Sequence, residues 1–162
     1  MLRVVRTLGV SLFALGFLVA LPLIASAHEA RDVDNGKYHF VVGFLNEPAI
    51  SGVVNSLDFR VSTNTGTPVA GADDEAATGT PIEGLESTLQ VEIIYGDQKK
   101  TLTLEPRWKA PGAYNAWVIP TAAGDYTFHI FGTINGDQVD ENFTSSPEGF
   151  SSVVDAKTLQ FP

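Results

Sequence analysis

Between Pro111 and Thr133 the sequence reads PGAYNAWVIPTAAGDYTFHIFGT, and no other stretch of the 162-residue chain restricts the fold as much. Two runs with alternating side chains, Tyr114–Ile119 and Tyr126–Ile134, flank the turn cluster Pro120-Thr-Ala-Ala-Gly124-Asp125. That is the pattern of strand, corner, strand. Because successive side chains of a strand point to opposite faces, Tyr126, Phe128 and Ile130 share one face and His129 lies on the other. Gly124 supplies the positive φ that a sharp bend before Tyr126 would use.

The rest of the chain repeats this grammar. Lys37–Leu45 places Tyr38, Phe40, Val42 and Phe44 on one face and His39, Val41, Gly43 and Leu45 on the other, before Asn46-Glu-Pro48 breaks the run. Leu57, Phe59 and Val61 alternate with Asp58 and Arg60, a half-buried strand whose polar face is expected to be wet. Leu89–Ile94 and Lys100–Leu104 form a hairpin about Tyr95-Gly-Asp97, and Asn135-Gly136 turns the chain onto Gln138–Thr144. Helical periodicity is absent after residue 27. The expected fold is all-β, an antiparallel sandwich of about seven strands.

The spacing Gly124-x-Tyr126-x-Phe128 is similar to the tyrosine corner that opens strand F of immunoglobulin-like domains. The resemblance implies that the Tyr126 hydroxyl bonds backbone a few residues upstream. Phe128 stands where an antibody domain carries its second cysteine, so packing replaces the inter-sheet disulfide. The expected organisation is a signal peptide over 1–27, a mobile arm over 28–36, and an immunoglobulin-like sandwich over 37–145. A long loop spans 62–88 and a largely irregular tail 146–162, with a short strand near Val153. The loop holds a near repeat, Thr65-Gly-Thr-Pro-Val-Ala-Gly71 and Thr78-Gly-Thr-Pro-Ile-Glu-Gly84, consistent with a duplicated segment. Between the copies, Asp73-Asp-Glu75 reads as a solvated acidic loop; a hard-cation site there would need spaced oxygen ligands, which are lacking.

Arg3 and Arg6, the apolar run Leu8–Ile24 and the small residues Ala25-Ser-Ala27 form a basic, apolar and cleavage region in series, as in a secretory signal. An uncleaved anchor is the alternative reading of the same run. No second apolar segment follows, so no membrane span is expected after cleavage. The expected location is extracytoplasmic, either periplasmic or at the cell surface. The full chain carries ten Lys and Arg against nineteen Asp and Glu, net −9; without Arg3 and Arg6 the balance is eight against nineteen, net −11. Such a surface repels nucleic acid. With no cysteine, thiolate redox chemistry, zinc-thiolate sites and cysteine nucleophiles are excluded.

Cleavage after Ala27 would make His28 the N-terminal residue, with its α-amine and imidazole Nδ1 able to chelate one ion. Nitrogen donors favour copper(II) among first-row divalent ions. His39 and His129, both expected on outer strand faces, are the candidate sources of a third nitrogen. The bland reading of each histidine is a polar side chain on a wet face.

Asn55-Ser-Leu-Asp-Phe-Arg-Val61, Pro111-Gly-Ala-Tyr114 and Ile119–Phe128 together resemble small exported immunoglobulin-like domains of the YtkA-like and CopC-like kind, often linked to copper handling. The resemblance implies an N-terminal copper ligand at His28. The downstream Asp-x-His pair of the CopC-like pattern is lacking, since Asp125 and His129 are four apart, and Met1 is the only methionine.

An enzyme is not expected. No Gly-x-Ser-x-Gly signature gathers a hydrolytic triad, and Asp140 and Glu141 are adjacent, on opposite faces of a strand. Trp117 is expected in the core and Trp108 exposed. The expected role is a non-catalytic binding module that meets a metal ion or an envelope protein; a metal-free structural or adhesive envelope domain is the alternative. No oligomeric state is implied.

Overall fold

Nine strands build two antiparallel sheets in a computed structural model that describes residues 27–64, 79–147 and 149–162. The strands are β1 (His28–Val33), β2 (Tyr38–Phe44), β3 (Asn55–Thr63), β4 (Leu89–Tyr95), β5 (Gln98–Leu102), β6 (Glu105–Pro106), β7 (Ala113–Val118), β8 (Thr127–Ile134) and β9 (Asp137–Thr144). One sheet has the order β1-β2-β3-β7-β6 and the other β5-β4-β8-β9. With β2 as strand A, this is A-B-E-D facing C′-C-F-G, the strand order of immunoglobulin-type sandwiches, with β1 added outside A. Among the described residues there is no α-helix; Leu85–Ser87 and Ala156–Leu159 are short 3-10 turns.

The core lies where the alternation puts it. Phe40, Val42 and Phe44 of β2, Leu57 and Phe59 of β3, and Phe128 and Ile130 of β8 are fully buried. Phe44 joins the sheets by edge-on contacts with Phe128 at 5.2 Å and Phe150 at 5.7 Å, and Phe40 stacks on Phe143 at 6.3 Å. Such aromatic pairs add to the transfer free energy of burial. At the corner, the Tyr126 hydroxyl donates to the Ala122 carbonyl at 2.9 Å and accepts from the Ala122 amide at 3.2 Å, with Gly124 at φ +124°. The tyrosine corner is present as its spacing implies.

Three segments differ from the sequence expectation. Residues 28–36, expected as a mobile arm, contain β1, whose six residues all pair with β2 through a turn at Asp34-Asn-Gly36. Asp34, Asn35 and Gly36 all have positive φ, as do Asn135 and Gly136 in the hairpin that the same dipeptide correctly signalled. Charge along HEARDV hid the strand, because Arg31 faces inward. Its guanidinium sits 4.1 Å from the Phe143 ring centroid and bonds Glu141 at 3.1 Å, closing the edge of the sandwich.

The polar face of β3 is not wet either: Ser56, Asp58 and Ser62 are all buried. The 146–162 segment is stitched into the fold. Phe150 is in the core, Val153 bridges Gly124, and the Val154 amide donates to Ala49. Residues 1–26 of the expected signal, the first loop repeat and Asp73-Asp-Glu75 lie outside the described residues.

Candidate functional site

On the outer face of the five-stranded sheet the register sets His28, Gly43, Asp58, Asn115 and Glu105 in one row across all five strands. Asp58, at its centre, is 2 % exposed. Its carboxylate accepts from Arg107 Nη2 at 2.7 Å and Arg60 Nη2 at 3.0 Å, and meets His28 Nε2 at 3.2 Å. Arg107 also donates to Asn115 Oδ1 at 2.8 Å, which fixes the guanidinium over the row.

Gly43 makes the third contact possible. β1 and β3 are both neighbours of β2, so an imidazole on β1 must cross β2 to reach Asp58. A side chain at position 43 would come within 2.6 Å of the Ala27 carbonyl oxygen and 2.7 Å of the His28 ring. Only glycine leaves that space.

Burial alone would raise the Asp58 pKa, but hydrogen bonds from His28 and Arg60 and the charges of Arg60 and Arg107 hold it well below the usual carboxylate range. Two guanidiniums thus converge on one ionised carboxylate. Glu47 lies close enough to interact with His28; its carboxyl is pushed up by burial, and the Ser151 hydroxyl and His28 oppose that shift.

The other two histidines stand elsewhere. His39 pairs in register with Asp32, four positions along the ladder from His28 and so roughly 13 Å away. Its Nδ1 meets Asp32 Oδ1 at 2.7 Å, and Asn64 donates to the other Asp32 oxygen at 2.7 Å. Ser62 is the next residue in that row, giving an Asp32–His39–Ser62 sequence across three strands. Ser62 Oγ is buried and makes no hydrogen bond, so the link from base to nucleophile that a catalytic triad needs is missing.

His129 is on the opposite sheet, between Asp140 Oδ1 at 2.7 Å and Glu92 Oε2 at 3.4 Å, with its ring stacked on Phe131 at 4.5 Å. A hydrogen bond from Lys99 holds the Glu92 carboxyl below its usual range. Both histidines occupy outer faces, as the alternation dictates. Among the described residues no three His, Asp or Glu side chains stand close enough to share a metal ion. The three histidines are therefore not brought together, and a nitrogen chelate rests on His28 alone.

Sequence reasoning singled out His28 but missed its partners. Asp58 and Arg60 were legible as a polar strand face. Arg107, at the turn from β6 into β7, is brought to Asp58, 49 residues away, by the pairing of β7 with β3, and carried no local signal. Trp117, expected in the core, is 48 % exposed, because its phase on β7 is opposite to that of Tyr114 and Ala116. Trp108 is exposed as expected. Compared with known proteins, the chain matches no family model, no curated protein and no solved structure.

Proposed function

We propose that the chain is a non-catalytic, extracytoplasmic immunoglobulin-like binding module, and that its most concrete binding chemistry is capture of copper(II) at a processed N-terminus beginning with His28. The observation that carries this reading is the His28 imidazole laid across Gly43 against Asp58. Cleavage after Ala27 would free an α-amine beside an imidazole already fixed in orientation. The amine and Nδ1 would hold the ion as cargo, while Nε2–H donates to Asp58. A carboxylate behind a ligating imidazole sets the tautomer and raises ligand basicity. Arg60 and Arg107 keep Asp58 ionised for that role. The resemblance to YtkA-like and CopC-like domains supports the same reading through its N-terminal histidine.

Mass spectrometry of the mature protein should find His28 first, and titration with copper(II) should give one site. Adding one residue before His28 removes the chelate and is expected to weaken binding at least tenfold. Equal affinity with and without that residue overturns the N-terminal site.

A second reading, a metal-free envelope interaction domain, is favoured by the exposed apolar side chains of Val53, Val54, Trp117 and Ile119. It predicts a protein whose partner binding is indifferent to chelators.

A further inference from the structure

We infer that the open edge of β7 receives an extended segment of a partner polypeptide, apolar at alternate positions and carrying a carboxylate. This inference rests on the interaction-domain reading and names the kind of partner it takes.

The argument starts from unequal strand lengths. β3 pairs with β7 from Ala113 to Val118, but β6 covers only Tyr114 and Asn115 on the other side. From Ala116 onward no strand is paired with the β6 side of β7 among the described residues, although β5 of the other sheet lies nearby. The Arg107 amide donates to the Ala113 carbonyl at 2.8 Å, and Asn115 pairs with Glu105, so odd-numbered residues of β7 turn their backbone groups toward β6. By the two-residue period of an antiparallel ladder, Trp117 is the next residue to present its N–H and C=O on that side, where β6 has ended.

Between Asn115 and Pro120, which bounds it, this edge carries neither lysine nor proline. Strand edges are commonly guarded by lysine or proline, as β5 is by Lys99 and Lys100 and β6 by Pro106. The edge beyond Asn115 instead carries Trp117 and Ile119, 48 % and 51 % exposed. Val54 and Val53, each at least half exposed, precede β3 beside them.

Two adjoining cavities lie between this edge and β5. One, of about 350 Å³, is bordered by Tyr95, Val118 and Ile119; the next, of about 290 Å³, by Leu102, Glu105 and Trp117. Lys100 borders both. An added strand sends alternate side chains into such cavities while its backbone pairs with the edge.

The carboxylate follows from Lys100. Lys99 is committed to Glu92 at 3.1 Å, whereas Lys100 has no carboxylate within ion-pair distance among the described residues. A second copy of the chain is the poorer occupant, since two molecules of net charge −9 repel.

The test is selection of a random decapeptide display library on the protein purified from expression of the full chain, in the presence of chelator. The selected peptides are expected to alternate apolar residues, to lack proline and to carry Asp or Glu. Their binding should slow exchange of the Trp117 amide. Ile119→Lys and Trp117→Lys, both at exposed positions, should weaken binding at least tenfold with little change in melting temperature. Lys100→Glu should switch the selected charge from acidic to basic.

Failure to select any peptide overturns the inference, as does equal binding to the Ile119→Lys protein. A dimer in light scattering that Ile119→Lys dissolves would assign the edge to a second copy, and would overturn it too. Because chelator is present throughout, loss of the copper reading leaves this result untouched, and the reverse also holds.

Discussion

Asp58 concentrates the electrostatics of the molecule in one side chain. Removing one partner from a buried charge cluster leaves the others desolvated and unpaired, which costs about 3–5 kcal/mol. Asp58→Asn is therefore expected to destabilise the protein by that order in urea unfolding, with Arg60 and Arg107 left facing a neutral amide. The pH dependence follows from the direction of the shift. The folded-state pKa is depressed below the unfolded value of about 3.9, so the stabilisation is fully present above that value and is lost as pH falls through the folded pKa. The difference in stability between native protein and Asp58→Asn should be constant from neutral pH to about 5 and shrink in stronger acid. A constant difference down to pH 2 would remove Asp58 as the ionised centre.

At the scale of elements, β1 holds His28 over Gly43 and against Asp58. It lies at the edge of its sheet and is held on its inner face by Arg31, which crosses to Glu141, to the Asn142 carbonyl at 3.0 Å and to the Phe143 ring. Lys37 and Tyr38 at the start of β2 both reach Asp137, anchoring the neighbouring strand to β9. Half-exposed ion pairs contribute little alone, so the cation–π contact and the burial of the arginine stem supply most of the effect. Arg31→Ala is expected to cost about 1 kcal/mol globally, yet to speed amide exchange across Glu29–Asp32 more than elsewhere. Uniform acceleration over all strands would show that β1 opens only with the whole fold.

For the whole molecule, stability rests on the aromatic contacts between sheets, since there is no disulfide. Phe44 meets Tyr126, Phe128 and Phe150 from the opposite side of the sandwich. Its truncation to alanine removes one ring from three edge-on pairs and leaves a cavity that β-sheet backbones cannot close. The expected loss is about 3–5 kcal/mol, measured by thermal or denaturant unfolding, a large share of the 5–15 kcal/mol typical of a domain. A loss below about 1 kcal/mol would mean that the core repacks around the site.

Much of this architecture was written locally. Alternation in β2, β3 and β8 and the dipeptide Asn135-Gly136 each depend on residues near in sequence, and the corner at Tyr126 closes on Ala122, four residues away. Local conformational preferences and the two-residue period suffice to set them. His39 and His129 were legible as polar strand residues for the same reason, whereas His28 was expected in an arm outside the sheets.

Register across strands was not written locally. Whether His28 meets Asp58, whether Gly43 leaves it room, and whether Arg107 arrives at the same carboxylate depend on chain separations of 15 to 49 residues. No short-range periodicity encodes which strands lie side by side. The sequence by itself determined which faces of the strands are apolar; only the tertiary structure decided which polar residues those faces bring together, because that pairing exists only once both sheets have closed over the core.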